Sequence, residues 1–408
     1  MNRFTTIQFH VRLGLLAVVT LLATPVRSAP AGGLAVLVRT IDAEAISGRL
    51  VSFSLDRGLT LENHATEETL RIPSADVVRI TTDAVPDDDR TNVPLFILSA
   101  GDRLIGRPVD FAEDMVTIET TSLGRVIVPM ERISAYVTAI GRGTAWSERI
   151  EQLVNGPVAG SDVVLLANGD RAAGVVLAID ADHLVLETSA GASRLPLDRI
   201  AAVRIVAPPA PSRGGLSARL DFADGSRLRV AELSWKDAAA SARVFADATV
   251  NIDAGQIVRA EIEGGRWTHL AEVTPISTEQ IPMIALDWPV ERDRNVLGGP
   301  LRVAGQQFER GLGVHSRSAL TYDLGGEYRR FVTSYGLDDD SGPLADVRVS
   351  ILVDGQVRHQ RDGVRQGELI GPVTLDVGDA RNLELIVDFG RLAAVQDRFN
   401  WLDPALIR

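Results

Sequence analysis

A chain of 408 residues exceeds what one ordinary hydrophobic core supports and predicts several folding units. With 45% hydrophobic and 24% charged residues, its composition is that of packed domains and not of a disordered polypeptide. The formal net charge of −12 gives no long-range attraction to phosphate backbones, which argues against nucleic acid as a partner. The lack of cysteine excludes disulfides, thiolate nucleophiles, zinc knuckles, iron–sulfur ligation and a lipid-anchor cysteine.

The N-terminus carries Arg3 and Arg12, then the apolar run Leu13 to Ala23, then small residues through Ser28 and Ala31. That order predicts a secretory signal over residues 1–29. The run is too short to span a bilayer, and no later segment is long and apolar enough, so no transmembrane helix is expected after cleavage. Export without cysteines points to a bacterial periplasm, cell surface or extracellular space.

From here to about residue 263 a degenerate unit recurs four times, over 34–82, 93–140, 161–206 and 215–263. Three copies begin with a strand and a turn: Phe96 to Arg103 around Gly101-Asp102, Val164 to Arg171 around Asn168-Gly169, and Leu220 to Arg227 around Asp224-Gly225. Such turns use residues that tolerate positive φ, so they are read as structural and not as a repeated ligand site. Each copy ends alike, with Ile72-Pro73 before Val77, Val128-Pro129 before Ile133, Leu195-Pro196 before Ile200 and Ile252-Asp253 before Ile257. Alternating runs such as Val116 to Thr120 and Leu184 to Thr188 lie between, and their period of two predicts half-buried strands. Each unit is expected to be a small β-barrel of the SH3-like or Sm-like kind, without the basic patch and stacking aromatics that RNA binding needs. Between the second and third units, Trp146 to Leu153 reads as a short helix.

Near Gly264 the text changes, and a new domain is expected over 264–408. Val347 to Val353 and Leu383 to Phe389 alternate cleanly, and Asp354-Gly355 supplies a hairpin turn. Short strands with such turns predict an antiparallel sandwich, so the whole chain is expected to be all-β.

The blocks Arg294-Asn295, Gly298, Leu301 to Gly305, Gly311-Leu312-Gly313-Val314-His315-Ser316 and Leu320 to Leu324 follow one another. Tyr328, Phe331, Gly336-Leu337-Asp338-Asp339, Val353-Asp354-Gly355 and Asp397 to Asp403 come next. In this order they resemble the NPCBM family of carbohydrate-binding modules. The resemblance implies a jelly-roll sandwich like galactose-binding domains, often attached to glycoside hydrolases, with a glycan or polysaccharide as partner.

A sugar presents apolar C–H faces beside fixed hydroxyls, so its site wants an aromatic surface and convergent polar groups. Trp401 is the candidate surface, with His315, Asp338, Asp339 and Asp397 as hydrogen-bonding candidates. Equally, the glycines near His315 serve a tight turn and Trp401 serves a core. The run Asp338-Asp339-Asp340 suggests a structural calcium held through Asp338 and Asp340, although a solvated loop explains it as well.

No His-Glu-x-x-His pair, nucleophile elbow or phosphate-gripping loop occurs, so no enzyme is expected and no cofactor is required. The leading expectation is an exported, non-catalytic glycan-binding protein whose repeats act as platform or spacer. Two alternatives stay open: a structural or protein-interaction component of the cell envelope with an envelope protein partner, and a glycoside hydrolase with two carboxylates across a cleft.

Overall fold

The protein is described by a computed structural model covering residues 34–42, 45–87, 93–99, 101–138, 147–156, 160–208, 214–245, 248–281, 288–391 and 395–408. The expected signal segment 1–29 lies outside the described residues. Among the described residues the chain is all-β except for the helix Ser147–Asn155 and single turns of 3-10 helix. That helix sits where the sequence suggests one, and its Ile150, Leu153 and Val154 pack on Ala135, Val137, Leu165 and Ala202.

Between residues 34 and 263 one order of elements recurs: strands, a 3-10 turn, then a last strand that returns to pair with the first. The turns are Ser74–Asp76, Met130–Arg132, Leu197–Arg199 and Ala254–Gln256. Pro73, Pro129 and Pro196 each precede one, at φ of −57°, −58° and −59°. The pyrrolidine ring fixes that angle in advance. In the fourth case Asp253 takes the place of proline, and its side chain accepts from the Gly255 N–H. The turn redirects the chain so that Val77–Thr82 pairs with Leu34–Thr40, Ile133–Val137 with Leu95–Leu98, Ile200–Arg204 with Asp162–Leu166 and Ile257–Glu263 with Ser217–Phe222.

These segments pack as one body. The strand Ile257–Glu263 pairs with Val77–Thr82, Glu232–Lys236 with Ala45–Ser54, and Ile133–Val137 with Ile200–Arg204. One hydrophobic cluster runs through all of them, including Phe53, Phe96, Val164 and Trp235. Turn residues act as fasteners here. Asp102 Oδ1 accepts from the Arg229 N–H at 3.1 Å, Asp224 Oδ2 from the Ser122 N–H at 3.0 Å, and Ser226 Oγ from the Ile105 N–H at 2.9 Å.

The C-terminal part is a two-sheet antiparallel sandwich. One sheet runs Glu291–Arg292, Gly311–His315, Arg398–Ile407, Arg330–Leu337, Ile370–Asp376, with Trp267–His269 also paired to Arg398–Ile407. The other runs Ser277–Gln280, Ser318–Asp323, Asn382–Phe389, Asp346–Val353, Gln356–Arg365. Asp354 and Gly355, at φ of 50° and 74°, close the expected hairpin. Leu320, Tyr322, Phe331, Tyr335, Val349, Leu385, Phe399 and Trp401 fill the space between the sheets.

The lower end of the sandwich, where Arg330 begins one strand and Ile407 ends another, is held on the preceding body. Ile41, Trp267, Val332 and Ile407 form a shared cluster. Arg330 pairs with Asp42 at 2.7 Å and Arg39 with Asp403 at 2.5 Å. Arg310 reaches Glu261, Glu272 and Asp293 at 3.0, 3.0 and 2.9 Å, and Glu261 is also paired with Arg219. Burial alone would push Glu261 up, but the Arg219 and Arg310 guanidiniums overcome it and hold the carboxyl below its usual range. The opposite, upper end of the sandwich carries the candidate site.

Candidate functional site

At the upper end the strand ends Leu337, Phe389, Arg365 and His315 come together with the strand starts Asp346, Arg398 and Ser318. The motif Gly311-Leu312-Gly313-Val314-His315 is shaped by close approach. A Cβ on Gly313 would collide with the Arg294 carbonyl oxygen, because the 294–296 segment crosses directly over this strand.

The two candidates at this end with the least surface are structural. Asp338 is 1% exposed. Its carboxylate accepts from Asn400 Nδ2 at 2.6 Å, Asn295 Nδ2 at 3.3 Å, the Asp340 N–H at 3.0 Å and the Arg302 N–H at 3.4 Å. It therefore ties the covering segment to the sheet and is not free for a ligand. Asp397 has no exposed surface and accepts from Ser316 Oγ at 2.7 Å and the Asp346 N–H at 3.2 Å. Burial pushes its carboxyl up to about 6, against the pull of those two donors.

Asp339 is half-buried and accepts from the Gly305 N–H at 3.0 Å, while Asp340 is exposed. Among the described residues no group of three or more His, Cys, Asp or Glu side chains gathers as a metal site. Both Asp338 oxygens accept hydrogen bonds from the covering segment and the sheet.

Trp401 corrects the expectation of an aromatic platform. It is fully buried, edge-on to Tyr335 and Phe399 at ring-centroid separations of 5.5 and 5.2 Å, and presents no face to solvent. The period of two in its strand already places Phe399 and Trp401 on one side. His315 does lie at the upper end. It is nearly buried, its Nδ1 bonds the Ser316 carbonyl at 2.9 Å, and burial lowers its pKa, so the ring is neutral at pH 7.

Sequence reasoning singled out as site residues neither Trp288 nor the groups that line the cleft at this end. Trp288, half-buried, stacks on His315 with ring centroids 5.0 Å apart and planes 7° from parallel. Gln280 clamps the Trp288 backbone, receiving its N–H at 3.1 Å and donating to its carbonyl. At the same end of the sandwich a polar cleft of about 560 Å³ is lined by Asp346, Arg348, Asp362, Arg365, Phe389 and Arg391, among others. Asp346 is 5% exposed, and its Oδ1 has no hydrogen-bond partner although it is buried. Arg348 donates to Asp362 at 2.5 Å and Arg361 to Glu368 at 3.3 Å, which holds those carboxylates in place. The strand Leu383 to Phe389 is legible in the sequence, but nothing local shows that its last residue pairs with Val347 and so comes beside Asp346.

This arrangement is a size suited to a small organic ligand, with an apolar ring, fixed charges and one unfilled acceptor. Residues 271–407 match the NPCBM/NEW2 domain. The C-terminal sandwich is an NPCBM/NEW2 domain. A protein of Renibacterium salmoninarum named "Putative endo-alpha-N-acetylgalactosaminidase" is 27% identical over 105 residues, covering 24% of this chain and 7% of its own. A Clostridium perfringens structure of CBM51-2 and INT domains from ZmpB is 21% identical, with a TM-score of 0.32, over 43% of this chain and 37% of that one. The CBM51 from Clostridium perfringens GH95, in complex with methyl-galactose, is 20% identical, with a TM-score of 0.30, over 34% of this chain and 99% of that one. The chain thus spans only a small part of the curated relative it matches.

Proposed function

We propose that the protein is an exported, non-catalytic glycan-binding protein whose NPCBM/NEW2 domain takes a sugar into the cleft beside Asp346 and Phe389. The observation that carries this reading is the buried, unpartnered Asp346 Oδ1 on the wall of a polar cleft. An acceptor withdrawn from water and left empty is costly, and a sugar hydroxyl is the donor that suits it. Phe389 supplies an apolar face for sugar C–H groups, and the fixed arginines supply donors for ring and exocyclic oxygens. The body of residues 34–263, attached at the opposite end, serves as a platform that leaves the cleft open. The match to a relative named as a glycosidase covers too little of that protein to bring its activity here. Asp362 and Glu368, each held by an arginine, are hydrogen-bonding groups in this reading and not an acid and base pair.

The mature chain is tested against a broad glycan panel, with Asp346→Asn and Phe389→Ala beside it. Binding that falls at least about tenfold in either folded variant, and that persists with chelator present, supports the site. A folded protein that binds no glycan removes this reading.

A second reading then takes its place, a protein-interaction component of the envelope. It is favoured by the burial of Trp401 and by Val175 and Leu177, 53% and 41% exposed on one face of Arg171–Ile179. No helix among the described residues is long and apolar enough to cross a membrane.

A further inference from the structure

A second, smaller pocket lies far from the cleft, where the first segment meets the lower end of the sandwich. It has a volume of about 40 Å³ and is lined by Arg39, Ile41, Arg79, Trp267, His269 and Asp403, among others. One water needs roughly 10–15 Å³ of such space, so the pocket accepts a few water-sized guests at most and no sugar ring.

Three donors on its lining residues are without partners. Arg79 Nε, Trp267 Nε1 and His269 Nε2 are all buried, and none has a hydrogen bond. Trp267 and His269 are 6% and 3% exposed, and they point the same way because they are two apart on one strand. The protonation of His269 follows from its other nitrogen. Nδ1 accepts from the Ala271 N–H at 3.2 Å, so the proton of the neutral ring resides on Nε2. Burial, reinforced by Arg310, drives the pKa of this histidine down to about 4, so the ring is neutral at pH 7. The single carboxylate of the lining, Asp403, is already engaged, with one oxygen 2.5 Å from Arg39 and the other 3.6 Å from Arg79. Arg79 also lies opposite Glu261 in the sheet and helps hold that carboxyl down. The next charges outward, Arg310, Glu261 and Asp293, are paired among themselves.

Buried N–H groups in native proteins almost always have partners, so three in one pocket mark a missing guest. Water accepts two hydrogen bonds and has two protons of its own to place. A halide has no protons to place and accepts all three. We propose that this pocket is a small-anion site, of the size and chemistry of chloride, that joins the 34–82 segment to the NPCBM/NEW2 domain.

Crystals of the mature chain soaked in sodium bromide test this directly. An anomalous peak within hydrogen-bonding reach of Trp267 Nε1 and His269 Nε2 is expected; a pocket holding water alone, with no anomalous signal, overturns the proposal. In solution, the thermal midpoint is compared in sodium bromide and in sodium gluconate at equal ionic strength. Bromide is expected to raise it by about 1–3 °C with saturation, because a guest that binds only the folded state stabilises by mass action. Trp267→Phe keeps a ring and removes one donor, so it should lose that increment whatever its own midpoint. Equal midpoints for the wild type in the two salts count against the site. The pocket lies at the opposite end of the sandwich from the cleft, so this outcome is independent of glycan binding.

Discussion

Asp397 has no exposed surface, yet it is the carboxyl in this chain most visibly lifted by burial, to about 6. Its folded pKa lies above the ordinary value near 4, so between about pH 4 and pH 6 the folded state binds more protons than the unfolded state. Stability from this group is therefore present below pH 4 and lost as pH rises through 6. Asp397→Asn keeps an acceptor for the Asp346 N–H and removes the titration. The difference in unfolding free energy between variant and wild type should grow from pH 4 to pH 6, then level off, as denaturant titrations at each pH would show. Trp401 has a different part. Its truncation to alanine empties a packed site between Tyr335 and Phe399 and should cost about 3–5 kcal/mol in chemical denaturation. Any binding defect of Trp401→Ala should vanish under conditions where the variant is still fully folded.

Among elements, the covering segment 294–303 depends on a single acid. Asp338 holds it through Asn295 and the Arg302 N–H, and holds the sheet through Asn400. Asp338→Ala leaves two buried amides without an acceptor and should cost about 2–4 kcal/mol. Hydrogen exchange should show loss of protection first at residues 295–305, because the segment then lacks its anchor. The acidic run was read in sequence as a ligand or calcium feature. Its first member instead satisfies backbone and amide donors, a use that depends on Asn295 and Asn400, far away along the chain.

For the molecule as a whole, the decisive contact is Arg310, which reaches three carboxylates at the joint. Arg310→Ala removes one of the two arginines on Glu261, a carboxylate 1% exposed, and should destabilise the joint by about 2–4 kcal/mol. Calorimetry should then resolve two transitions, one for the 34–263 body and one for the sandwich, where the wild type is expected to give one.

Period-two runs, Asp-Gly turns and the prolines at 73, 129 and 196 are local properties of the chain, and by themselves they determined the strands, the hairpins and the 3-10 turns that return each last strand to its first. The order of the blocks from Arg294 to Asp403 likewise identified the C-terminal domain. Tertiary structure alone decided that Trp401 is core, because Tyr335 and Phe399 close over it, and that Trp288 stacks on His315. It also decided that these segments pack as one body and that Asp346 and Phe389 line one cleft. Burial is set by partners far away in sequence, and no local pattern carries that information.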